Sequence, residues 1–259
     1  FLNPEYKDIL AGYTGWQKKA WLDGDWNIPS VQFFNTFRSH AHVIREFNPD
    51  RIVDWVAGMD YGFTHYTVVL LGGRDADNNL FIVDEHAERG WIPQRHVQAV
   101  REMCQRQRLI LGSSDPRRPG EATRMRMRFD PLNSWRLNCI FAGTDLFSPA
   151  SDGGTVAARF AALGLKLRPA NTSRVQGWAA IQEHLGDPDA GIKPRLFIHE
   201  RCKRLLDALP FLQHDPDHPA DVLKTNVNAE GLGGDDAADA LRYLVASRVP
   251  RCYMRKLTG

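Results

Sequence analysis

Three β-rich runs, separated by only a few residues each, constrain this chain more than any other feature. Val53–Met59, Tyr66–Leu71 and Leu80–Val83 carry the aliphatic and β-branched residues that suit a buried pleated surface. The stretch DADNN (75–79) between the last two supplies turn chemistry. Connections this short cannot cross over a sheet, so the three strands must run antiparallel as a meander. The pattern then alternates. Helical spacing over Ile92–Arg108 puts Val97, Val100 and Cys104 on one face, and Asn138–Ala142 returns to strand. Thr155–Leu163 reads as helix, Leu165–Leu167 as strand, Arg174–Leu185 as helix and Leu196–Ile198 as strand. His199–Leu209 and Asp235–Ser247 are the last helices. An order of βββαβαβα predicts an α/β fold around a mixed sheet flanked by helices.

Residues 1–50 differ from this pattern. They hold Trp16, Trp21 and Trp26 among apolar positions at helical spacing, without a strand-like run, and Asn48-Pro49-Asp50 closes them as a turn. The expectation is a helical arm or linker over 1–50 and an α/β domain over 51–259. Within that domain, 109–137 breaks the alternation with Gly, Ser and Pro. It then alternates strictly, with Arg124, Arg126 and Arg128 on one strand face and Met125, Met127 and Phe129 on the other. Asp130-Pro131 and Asn133-Ser134 read as a turn, and Trp135–Leu137 as a strand pairing back, so an inserted β-hairpin is expected. Arg117, Arg118 and Arg136 add to its basic face.

Composition removes several classes. Lys and Arg total 33 against 31 Asp and Glu, a net charge of +2, which excludes a polybasic coat but not a local basic stripe. No apolar run approaches the roughly 18–20 residues of a membrane span. The four cysteines are far apart, so neither a zinc site nor a disulfide framework is expected, and a reducing compartment is. The opening FLNPEYKDIL has no leader pattern and no Met, as expected of a piece of a longer chain. No GxxxxGK[ST] loop is present, so no ATPase activity is expected, and no GxSxG supports acyl transfer.

The chemistry lies in carboxylates. Asp60 follows the first β-run directly, and Asp145 follows the Asn138–Ala142 run; either alone reads equally well as a turn residue. GGDDAADALRYLV (233–245) is sharper, because Asp235, Asp236 and Asp239 crowd the first turns of one helix at i,i+3 and i,i+4 spacing. One acidic residue suffices for a cap, whereas three repel each other unless a cation sits among them. Hard oxygen donors favour Mg²⁺ or Mn²⁺ over zinc. His65, His86 and His96, and the His214/His218 pair in a Pro-rich loop, read as surface or hydrogen-bonded histidines.

At this point the sequence resembles the C-terminal nuclease domain of the large terminase subunits of tailed bacteriophages, of the RNase H-like superfamily. NPEYKDILAGYTGWQKKAWLDGDWNI resembles the end of that family's ATPase domain, and GMDYG its strand with the first catalytic Asp. GLKLRPANTSRVQGWAAIQEHL resembles the segment after the second acid, and DVLKTNVNAEGLGGDDAADALRYL the closing acidic helix. DDAADAL is also similar to the last motif of Holliday-junction resolvases, whose two metal-serving Asp map to Asp236 and Asp239. The 109–137 insertion matches nothing placed in the family, and Gly233-Gly234-Asp235-Asp236 replaces its usual acidic-His start. The resemblance implies a two-metal endonuclease of little sequence specificity, cutting concatemeric viral DNA during packaging. Asp60, Asp145, Asp235, Asp236 and Asp239 would hold two Mg²⁺ or Mn²⁺, and Arg117, Arg118, Arg124, Arg126, Arg128 and Arg136 would grip DNA. Implied partners are double-stranded DNA, the ATPase domain of the same chain, the portal and the small terminase subunit, in host cytoplasm and docked on the procapsid. A resolvase or transposase nuclease, or a non-catalytic DNA-gripping module, is the alternative.

Overall fold

The computed structural model describes residues 32–111, 136–137, 140–149, 153–226 and 233–247. Its centre is the expected meander: β2 (Ile52–Asp60), β3 (Thr67–Asp75) and β4 (Leu80–Glu88) pair antiparallel. The β3–β4 turn forms as its residues dictate, for Asp75 accepts the backbone N–H of Asp77 and Asn79, and Asn78 takes a left-handed φ of 64°. All nine residues of β3 are buried, as expected for the middle strand of a covered sheet.

Parallel strands extend the sheet on both sides. On one side β2 pairs with β7 (Ile140–Ala142), which pairs with β8 (Leu167–Pro169). On the other, β4 pairs with β9 (Leu196–His199), and β9 with β1 (Val43–Ile44). The order is β1-β9-β4-β3-β2-β7-β8.

Helices cover both faces. α1 (Pro93–Arg106) and α2 (Val156–Ala162) seal one, over Trp55, Ala57, Met59, Val69 and Leu71. α3 (Arg174–Leu185), α4 (Lys203–Ala208) and α5 (Asp236–Ala246) seal the other, over Val56, Val68 and Leu70. Among the described residues no helix is long and apolar enough to cross a membrane.

One expectation changes. In the described part of the 1–50 segment the chain is not a helical arm: a single helical turn (Ser39–His42) leads into β1, and Phe33, Phe34 and Phe37 are buried in the α3–α5 core. Those rings gain more by joining a core already containing Trp178 than by standing on an arm, about 1.5–3 kcal/mol each. Residues 33–44 therefore belong to the α/β body, and Trp16, Trp21 and Trp26 lie outside the described residues.

At the flanks of the 109–137 insertion, β5 (Ile110–Leu111) and β6 (Arg136–Leu137) pair parallel. The expected hairpin arm over 124–129 and its turn lie outside the described residues. Arg117, Arg118, Arg124, Arg126 and Arg128 lie outside the described residues, and Arg136 is described only as backbone in β6.

Candidate metal centre

Asp60 shares the strand face of Val56 and Gly58, the face covered by α5. The helix comes unusually close there: a Cβ on Gly58 would overlap the carbonyl oxygen of Ala240 and stand 2.8 Å from Leu244 Cβ. Ala237, Ala238 and Ala240 are all buried, small enough to let the helix backbone descend onto the strand. Gly58 thus brings the acidic end of α5 over the end of β2. The parallel β2–β7 register pairs Met59 with Ala142, so the next residue, Gly143, stands beside Asp60. Asp145 follows in a 3₁₀ turn (Thr144–Phe147), and its carboxylate folds back over Gly143, where a side chain would collide with it.

The chain enters α5 through Gly233 and Gly234, at φ of 78° and 85°, a conformation open to glycine at little cost. Asp235 occupies the N-cap position, yet its side chain caps nothing. Asp235 Oδ2 and Asp236 Oδ2 are both buried without a hydrogen-bond partner. Simple capping therefore does not account for these acids.

Three arginines balance the cluster. Arg242, 2% exposed, donates Nε to Asp239 Oδ1 at 2.9 Å and Nη1 to the Thr172 carbonyl at 3.0 Å. Gly177 leaves room for its stem, and its guanidinium lies 5.0 Å from the Trp178 ring and 4.6 Å from Tyr243. Arg174 donates Nη1 to Asp239 Oδ2 at 3.4 Å and stands 3.9 Å from Asp235 Oδ2. Asp221 orients it by accepting Arg174 Nε at 2.9 Å and Trp178 Nε1 at 2.6 Å. Arg204 lies 3.7 Å from Asp236 Oδ2, with Nη2 on the Gly233 carbonyl at 2.8 Å and its guanidinium 3.7 Å from the Tyr66 ring. Glu85 of β4 fixes its backbone by accepting the N–H groups of Arg204 and Leu205.

The electrostatics tie all five acids together. Burial raises the Asp60 carboxyl well above the usual range, and the charges of Asp239, Asp236, Asp235 and Asp145 raise it further. Burial, then Asp239, pushes Asp235 up to about 6 despite Arg174, and burial also raises Asp236. Tyr243, one turn beyond Asp239, has its phenol pushed up to about 12 by burial, Asp60 and Asp239. The structure thus gathers Asp60, Asp145, Asp235, Asp236 and Asp239 at one end of the sheet. Among the described residues no group of three or more His, Cys, Asp or Glu side chains is arranged so that it could hold a metal ion as it stands; Asp239 and Asp236 instead lean towards their arginines.

Neither histidine set forms a metal pair. His86 and His96 hydrogen-bond each other at 2.8 Å in the α1 core, and His214 contacts the Pro219 carbonyl. His65 is exposed, and its charge acts on Asp236. Sequence reading missed Arg174, Arg204, Arg242 and Tyr243. Only Arg242 and Tyr243 carried a signal, at i+3 and i+4 from Asp239.

A raised carboxyl pKa has a definite sign in stability. The native state holds a proton that the unfolded chain releases, so stability falls as pH climbs from the unfolded value towards the folded one. For Asp235 that window runs from about 4 to about 6. In metal-free protein, Asp235→Asn should therefore gain on the wild type through this window, by on the order of 2–3 kcal/mol, then level off. The histidines with lowered values, His86 at about 4 among them, slope the opposite way but cancel in the difference. Melting temperatures of both proteins across pH 4–8 test this; a constant gap would contradict it.

No protein-family model matches the chain, and no curated protein sequence matches it. Solved structures do. The large terminase of a thermophilic bacteriophage, solved in complex with ADP, superposes with a TM-score of 0.55 at 16% identity, over 94% of this chain and 52% of that one. The P22 large terminase nuclease domain gives a TM-score of 0.56 at 14% identity, over 82% of this chain and 89% of that domain. The chain thus spans about half the length of the thermophilic phage's large terminase, and it has the fold of a terminase nuclease domain, a mixed seven-stranded sheet between helices.

Proposed function

We propose that this chain is a metal-dependent endodeoxyribonuclease, the DNA-cutting part of a phage packaging enzyme. One observation carries the reading: two buried carboxylate oxygens on α5, those of Asp235 and Asp236, accept no hydrogen bond and meet only a distant guanidinium each, and they stand with Asp60 at the end of the central strands. The fold shared with terminase nuclease domains supplies its context. A donor set made only of hard oxygens suits Mg²⁺ or Mn²⁺, and the orphaned oxygens are what a cation would satisfy.

In this reading Asp60, Asp145, Asp235, Asp236 and Asp239 would hold two divalent ions, Asp60 serving both, Asp145 one, and the three acids of α5 the other. Bound divalent ions supply Lewis-acid charge for in-line attack of water on a phosphodiester. The protein's own groups do the rest. Gly58 sets the separation of strand and helix, and Arg242 and Arg174 hold Asp239 in one orientation. Arg204 does the same for Asp236. Protonated carboxylic acids at Asp60 and Asp235 would have to lose their protons on binding a cation, so affinity rises with pH.

The substrate is double-stranded DNA, held by its backbone with little sequence preference. The ATPase domain of the same chain, the portal and the small terminase subunit are the partners this role requires, in the host cytoplasm and at the procapsid. With Mg²⁺ or Mn²⁺ the chain should convert supercoiled plasmid to nicked and linear forms, and chelator should stop it. Asp145→Asn should lose that activity while keeping its melting temperature, because Asp145 is exposed. Plasmid left intact with either metal, or full cutting by Asp145→Asn, would sink the reading.

A further inference from the structure

A cleft of about 540 Å³ lies away from the carboxylates, lined by Arg45, Arg106, Arg108, Arg201 and His199, with Glu46 and Asp50 at its exposed rim. Its apolar lining, Val83 and Phe47, belongs to the core on the α1 face. Asp60 is on the opposite face, about 20 Å away by strand spacing and rise. A phosphate held at the carboxylates does not reach this cleft.

Two of the four arginines are already neutralised. Arg106 donates Nε and Nη2 to buried Asp84 at 2.8 and 3.2 Å, and Arg45 pairs with Glu200 at 3.2 Å. Arg108 and Arg201 pair with no carboxylate among the described residues. The backbone aims Arg108: two residues past α1 it takes a φ of 55°, where the Leu109 N–H closes onto the Cys104 carbonyl at 2.7 Å. That left-handed position ordinarily falls to glycine or asparagine, and a long side chain there is a local strain with no packing return, since Arg108 is exposed. Arg201 is aimed too, by Nε and backbone N–H donation to Nδ1 of His199, which is 8% exposed.

We propose that this cleft is a second anion site, built to hold a phosphate group with the guanidinium forks of Arg108 and Arg201. Two guanidinium groups that pair with no described carboxylate match the charge of a phosphate better than that of a single carboxylate, with Arg201 held against His199 by Nε at 3.3 Å and Nη2 at 3.4 Å. The volume leaves room for the rest of a nucleotide or a stretch of DNA backbone. The site stands apart from the nuclease reading, and binding measured in chelator separates the failure of one from the failure of the other.

The test is calorimetric titration of the chain in EDTA with pyrophosphate, ADP and a short blunt DNA duplex, against Arg108→Gly and Arg201→Ala. Each variant should weaken binding about tenfold, the loss of one charge-assisted contact. Arg108→Gly should keep its melting temperature or gain, because glycine accepts that φ, whereas a merely structural arginine would show a loss. Weakening seen with pyrophosphate and ADP assigns the site to a free phosphate ligand; weakening seen with the duplex alone assigns it to DNA backbone. If all three probes bind wild type and variants equally, or none binds wild type, the proposal is overturned.

Discussion

Asp60→Asn will abolish metal-dependent DNA cleavage and, in the same protein, raise the melting temperature without metal. The two effects have one cause. Asp60 is half-buried at the meeting of four other carboxylates, and desolvation, then their charges, raise its carboxyl well above the usual range. An ionised group so placed costs the fold free energy unless a cation compensates it. The amide keeps the shape and removes the charge, so the metal-free protein is relieved. Under the proposed function the variant would also lack one of the carboxylates that hold the metal, and a drop of about a thousandfold or more is expected, equivalent to about 4 kcal/mol of transition-state stabilisation. Plasmid cleavage measures the first effect; thermal melting with and without Mn²⁺ measures the second. Mn²⁺ should raise the melting temperature of the wild type far more than that of Asp60→Asn. A variant that both cuts and melts lower would remove Asp60 from the centre of the site.

The central meander, its turn and α3 were legible because each is written in local patterns. Period-two burial places Asp60 on the α5 face, and the Asp75 turn is specified by its own side chains. Gly233-Gly234 and the acids behind them announce the start of α5 in the same local way. What stayed hidden is long-range. Val43–Ile44 becomes a strand only because β9 offers an edge, and two residues hold no periodicity to read. Phe33, Phe34 and Phe37 look like helix positions until the surface they pack on is known. The parallel pairing of β5 with β6 joins two-residue strands far apart in the chain, which no local pattern records. Arg174 and Arg204 reach the carboxylates from α3 and α4, far away in the chain, so their role follows from topology alone. The acids could be found from sequence because they cluster in it; the groups that orient them do not.

Arg242→Ala should be among the most damaging substitutions in the molecule. The side chain is 2% exposed, fills the space beside Gly177 between Trp178 and Tyr243, and gives the Asp239 carboxylate its shortest hydrogen bond. Truncation opens a cavity, orphans the Thr172 carbonyl and leaves Asp239 with only the longer Arg174 contact. Breaking a buried ion pair from one side costs about 3–5 kcal/mol, which for a domain this size lowers the melting temperature by about 10 °C. Arg242→Lys should recover little, because an ammonium cannot reach Asp239 and Thr172 with one planar fork. The partner substitution decides the cause. In Arg242→Met with Asp239→Asn the charge is gone from both sides and the cavity is mostly filled, so much of the lost stability should return, while cleavage stays absent for want of a ligand. The coupling energy of that double-mutant cycle isolates the ion pair from the packing. A coupling near zero would mean that Arg242 serves the fold as a space-filling residue and that Asp239 takes its orientation from Arg174 alone.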